Sequence, residues 1–208
     1  MRNRFDMQLH QLDEQLTRMG ELCEQAIAKA TQALKEGSVE QARIVVAEDE
    51  EIDQMEKEIE RLCLKLLLQQ QPVARDLRRI SAALKMITDM ERIGDQTSDI
   101  AEIIISSKDK VVSRELELMV EMASGVSKMV RDSITAYVQK DLELAREVME
   151  SDDQIDDYFD EIRDRMIEYI KKEHGEQGRR IFDLIMVTKY LERIGDHATN
   201  IAEWVEFS

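Results

Sequence analysis

Two stretches of this chain, Glu91-Arg92-Ile93-Gly94-Asp95 and Glu192-Arg193-Ile194-Gly195-Asp196, each set two carboxylates four residues apart, and the second repeats the first at a shift of 101 residues. Upstream, Asp49 and Asp53 return as Asp152 and Asp156 at a shift of 103. Four residues advance a helix by about 400°, so the two acids of each pair share a face. Carboxylates gathered from neighbouring helices are oxygen ligands suited to hard metal ions. The spacing alone is weak evidence: with 45 acids in 208 residues, roughly ten such pairs arise by chance, mostly on solvated faces. Symmetry gives the pattern its weight. Asp53 and Glu91 lie equally far from Pro72, and so do Asp49 and Asp95. Asp156 and Glu192, like Asp152 and Asp196, share a centre at residue 174. Residues equally far from an antiparallel turn stand at one height. Eight carboxylates therefore predict two four-acid groups, each on a helical hairpin.

Such groups need compensation, because like charges at this spacing repel and an unpaired buried charge is costly. Asp49 and Asp152 fall where the apolar repeat asks for a hydrophobic residue, and Asp99 and Glu102 extend the acidic row of Glu91 and Asp95. Arg92 and Arg193 point about 100° away from the glutamates they follow and can each serve at most one partner. Bound metal ions are the economical alternative, with Mg, Mn, Fe and Zn all compatible with oxygen donors. Gly94 and Gly195 cost helix stability but let a facing element approach closely. His197 could add a nitrogen ligand beside Asp196, against the plainer reading of a packing or solvated side chain.

The elements that position these acids are long helices. A chain with 36% charged residues, 4% aromatics, one Pro and seven Gly suits helices and not sheets. Six are expected, over about 5–36, 39–70, 72–107, 111–139, 141–173 and 176–206. Ser38 and its counterpart Asp141 are candidate N-caps, and Pro72 suits a first helical turn. Gly175 and Gly178 mark the matching second-half break, with Lys108 to Lys110 as the joint between halves. Apolar positions recur in a 4-3 pattern, as in Phe5, Leu9, Leu12, Leu16, Met19 and Cys23, and in Ile80, Ala83, Ile87 and Met90. The fifth helix carries the same seam to Met166 and Tyr169. Short turns between helices about 45 Å long force antiparallel packing. The expected fold is all-α: two tandem antiparallel three-helix bundles, residues 1–107 and 108–208, each with its own core. The twelve Met residues read mostly as core filler, and Cys23 and Cys63 as buried thiols.

A net charge of −16 argues against nucleic acid and against an anionic membrane surface. No apolar run approaches the roughly 20 residues that span a bilayer, and the N-terminus has no signal-peptide stretch. A cytoplasmic protein is expected.

The stretch Pro72-Val-Ala-Arg-Asp76-Leu-Arg78 through Glu91-Arg-Ile-Gly-Asp95, with Glu192-Arg-Ile-Gly-Asp196-His-Ala-Thr-Asn200-Ile-Ala-Glu203, closely resembles the PhoU family of phosphate-uptake regulators. The resemblance runs over the whole chain. It implies a dimeric twin-bundle adaptor with multinuclear metal clusters held by Asp49, Asp53, Glu91, Asp95, Asp152, Asp156, Glu192 and Asp196, with Asp99, His197 and Asn200 as secondary candidates. It also implies a role as accessory of the Pst phosphate transporter that restrains a PhoR-type sensor kinase. Two departures suggest that the clusters differ: Asp99 corresponds to Asn200, and Glu56 to Phe159, which makes the first group more acidic. The rival readings are a metal-dependent helical-bundle enzyme, either hydrolase or oxidase, and a purely structural scaffold. Di-metal oxidases use Glu-x-x-His pairs, whereas Met7, Lys171 and Ile194 precede the three histidines by three residues.

Overall fold

The computed structural model describes residues 2–69, 73–107, 114–172 and 177–208. Six helices account for nearly all of them: α1 Arg2–Glu36, α2 Val39–Gln69, α3 Ala74–Ser106, α4 Arg114–Gln139, α5 Leu142–Lys172 and α6 Gly178–Phe207. No strand occurs among the described residues. Pro72, Gly175 and the Lys108–Lys110 joint lie outside them; Gly178 is the first residue of α6.

The α1–α2 turn closes as its residues dictate. Gly37 takes a left-handed φ of 62°, which costs glycine little. The Ser38 amide then donates to the Ala33 carbonyl at 2.9 Å and the Gly37 amide to Leu34 at 3.4 Å, the paired bonds of a Schellman ending. Ser38 caps α2 by accepting the Gln41 amide on Oγ at 3.3 Å. The second half repeats this with a different residue at the strained position. Lys140 holds φ 60°, the Asp141 amide reaches Ala136 at 2.9 Å, and Asp141 Oδ1 accepts the Glu143 and Leu144 amides, both at 3.0 Å. Both expected N-caps are therefore in place.

The expected seams face inward. Leu12, Leu16, Met19, Cys23, Ile80, Ala83 and Met90 are fully buried. Seven methionines are buried too: Met19, Met86, Met90, Met119, Met122, Met129 and Met166. The α5 seam ends earlier than its pattern suggests, because Tyr169 is exposed together with Ile167 and Ile170. The last turns of α5 thus lie outside the core. Both cysteines are free and buried. Burial pushes their thiols up to about 12, and Cys23 Sγ donates to the Met90 carbonyl at 3.4 Å.

Each half is an antiparallel three-helix bundle, but the halves do not keep separate cores. α1 packs on α4 and α3 on α6, so those four helices form a central unit with α2 and α5 on its flanks. One apolar cluster runs through both halves. The crossing helices are antiparallel: Gly20 of α1 sits against Ile134 of α4, and farther along Glu24 meets Arg131 at 2.6 Å. At one end Tyr137 of α4 donates its hydroxyl to the Arg79 carbonyl of α3 at 2.7 Å, while the Arg79 guanidinium grips both Asp13 oxygens of α1 at 2.5 Å. These ties depend on how two repeated halves meet, which no helical period encodes.

Candidate metal centre

The first acidic group is built by α2 and α3. Asp49 and Asp53 are one turn apart on α2, Glu91 and Asp95 one turn apart on α3, and all four are half-buried. Oxygens of Asp49, Asp53 and Asp95 lie within 4.8 Å of one another. Oxygens each about 2.0–2.6 Å from one ion can be up to about 5 Å apart, so one cation can bind all three. Gly94 makes the convergence possible. A Cβ there would stand 2.7 Å from Asp49 Oδ1 and 3.1 Å from Ile52 Cδ1.

Asp49 Oδ1 is the atom that most needs a partner. It is buried and accepts no hydrogen bond, a state that costs a carboxylate dearly. Burial, then Asp95, Asp53 and Asp99, push its carboxyl up to about 6. Glu91 is raised by burial and then by Asp95, and Glu56 by burial, then Glu60 and Asp53. The nearby cations stay on the rim. Arg92 meets Asp95 at 2.8 Å and Glu91 at 3.5 Å, two acids rather than one, with 54% of its side chain exposed. Lys57 stops 4.0 Å short of Asp53. No such cation reaches Asp49 Oδ1. A metal ion fits this donor set.

The metal-free protein should consequently lose stability as pH rises. Asp49 binds its proton more tightly folded than unfolded, so its contribution is complete below its ordinary value of 3.8 and is lost as pH climbs through about 6. Thermal unfolding of chelated protein across this window should show a declining melting temperature, and Asp49→Asn should flatten the slope. An unchanged slope in that variant would mean that Asp49 is compensated in another way.

The second group, on α5 and α6, is looser. Asp152 and Glu192 are half-buried, but Asp156 and Asp196 are exposed. Among the described residues, no three of its acids converge as in the first group. Burial and then Asp196 raise Asp152, while burial and then Glu192 raise both Asp156 and Asp196. A Cβ on Gly195 would meet Ile155 at 3.3 Å, Asp152 Oδ1 at 3.5 Å and Val126 at 3.6 Å, with nothing closer. Lys189 enters this group by pairing with Glu192.

The three secondary candidates take part in contacts between the bundles. His197 Nδ1 lies 2.9 Å from Asp89 Oδ1 on α3, and Asn200 donates to the same oxygen at 3.1 Å. These side chains engage α3 and not Asp196 and its neighbours. Burial and then Glu102 raise Asp99, while Tyr190 and Arg193 of α6 oppose that rise, and Asp99 also adds to the field on Asp49. Asp89 and Tyr190 occupy corresponding positions in the two repeats, so the crossing is pseudo-symmetric.

Six long helices in two repeated antiparallel bundles, with an acidic group on each second hairpin, define a class of twin-bundle helical proteins with built-in oxygen-donor sites. The PhoU domain matches residues 16–104 and again residues 119–205. The chain belongs to the PhoU family. It is 36% identical over 200 residues to a phosphate-specific transport system accessory protein PhoU homolog of Clostridium acetobutylicum, covering 96% of this chain and 91% of that one. An Aquifex aeolicus protein of the same description is 36% identical over 186 residues, 89% and 84% of the two chains. The crystal structure of PhoU from Pseudomonas aeruginosa superposes with a TM-score of 0.91 at 33% identity, covering 97% of this chain and 96% of that one. PhoU from Streptococcus pneumoniae, a phosphate transport system regulatory protein, gives 0.89 at 27%, covering 97% and 94%.

Proposed function

We propose that this chain is a metal-binding regulatory adaptor of phosphate uptake, acting in the cytoplasm to restrain a Pst-type phosphate transporter, a PhoR-type sensor kinase, or both. The observation that carries this reading is the doubled PhoU domain, together with 36% identity along 89–96% of the chain to relatives named for phosphate transport. No helix among the described residues is long and apolar enough to cross a membrane, so contact with a transporter would run through the helical surface.

Asp49, Asp53, Glu91 and Asp95 would hold metal in the first bundle, and Asp152, Asp156, Glu192 and Asp196 in the second. Bound metal would supply positive charge against carboxylate repulsion. The residues themselves do the rest: Asp49 and Asp53 bring α2 to the ion, Glu91 and Asp95 bring α3, and Gly94 sets how closely the helices approach. Occupancy would thereby stiffen the hairpin surface offered to a partner.

Deleting the gene in its native host tests the regulatory role. Phosphate-starvation genes should be expressed even in phosphate-rich medium, and pull-down from membranes should recover a transporter component or its sensor kinase. Normal phosphate control in the deletion, with neither partner recovered, would contradict the proposal.

A further inference from the structure

The two acidic groups differ in burial and convergence, and also in the cation placed beside them. Lys189 of α6 pairs with Glu192, and its ammonium lies 5.2 Å from the ring centroid of Phe159 on α5. A cation over an aromatic face is held electrostatically as well as by its ion pair. Lys189 is thus fastened from two helices. Its counterpart in the first repeat is Thr88, and the counterpart of Phe159 is Glu56. The first group therefore lacks both the lysine and its aromatic seat, and carries an extra acid instead. Arg92 and Lys57 do not replace it, since each has more than half its side chain in water, where long side chains swing aside at little cost. Glu192 is 14% exposed and Lys189 38%, so this pair is less screened than the rim cations of the first group.

Resting on the metal-binding reading above, we infer that Lys189 is an internal counter-ion that makes the second acidic group bind metal more weakly than the first. A divalent ion entering there must displace or repel an ammonium already paired with one of its ligands. At the first group the same ion meets an unpartnered carboxylate oxygen on Asp49.

Equilibrium dialysis of the chelated full-length protein against Mn²⁺ tests this, with equivalents bound read by elemental analysis. Wild type should bind in two phases, and Asp49→Ala with Asp95→Ala should remove the tighter one. In that background Lys189→Thr should tighten the remaining phase by about tenfold, the scale expected from deleting one nearby, partly screened charge. The reciprocal Thr88→Lys, at an exposed position, should weaken the tight phase in an otherwise wild-type chain. Melting temperatures in chelator check folding, and Lys189→Thr should lower its own until Mn²⁺ restores it. Metal bound at the first group with no change on Lys189→Thr would overturn the counter-ion role and leave the metal reading intact. No Mn²⁺ bound by wild type at either group would overturn both.

Discussion

Adding Mn²⁺ to the chelated protein is expected to raise its melting temperature by about 5–10 °C. An ion at a hundred times its dissociation constant stabilises the folded state by about 2.7 kcal/mol, and in a chain of this size each kcal/mol shifts the midpoint by about 2–4 °C. The direction follows from the acids. Asp49, Asp53 and Asp95 converge from two helices, and the unfolded chain has no such site. Asp53→Ala with Glu91→Ala should abolish most of the shift, because each remaining helix then presents a single carboxylate to the ion. Those variants should also tolerate chelator better than wild type does, since less repulsion is left to compensate. A melting temperature that ignores verified metal removal would mean that protein groups already balance the acids.

Gly94→Ala should destabilise the protein by about 1–3 kcal/mol, the usual cost of overpacking a filled core. The sign is informative, because alanine in a helix interior ordinarily gains close to 1 kcal/mol over glycine. Here the new methyl would stand 2.7 Å from Asp49 Oδ1 and 3.1–3.2 Å from two carbons of Ile52. Asp49 must move, so metal affinity should fall along with stability. Gly195→Ala is the control. Its nearest contacts are 3.3–3.6 Å, and it should be close to neutral. In an Asp49→Ala background the cost of Gly94→Ala should shrink, and a double-mutant cycle would measure that coupling. Equal effects at Gly94 and Gly195, or no coupling to Asp49, would contradict the close approach.

Much of this is legible in the sequence. The repeated Glu-Arg-Ile-Gly-Asp, the 4-3 apolar pattern and the caps at Ser38 and Asp141 are local features, and local features survive into the fold. Hairpin symmetry placed Asp49 opposite Asp95, and the two meet. What stayed hidden depended on the join between the halves. The contacts from His197 and Asn200 to Asp89, and from Tyr137 to Arg79, cross a surface between two repeats whose relative placement has no periodic signature. One core therefore replaces the two expected. Lys189 was readable in principle: comparing it with Thr88 shows a cation gained beside the acidic pair, next to the Glu56-to-Phe159 change. The signal was missed because a lone surface lysine means nothing until its aromatic seat is known.

Diffraction with anomalous scattering at the metal edge tests most directly the proposal that carboxylates from facing helices hold metal. Crystals of protein loaded with Mn²⁺ or Fe should show an anomalous peak about 2.0–2.3 Å from oxygens of Asp49, Asp53 and Asp95, with any second-bundle peak weaker. Fully loaded protein with no peak between α2 and α3, and with Asp49 Oδ1 bonded instead to a protein group, would contradict the account.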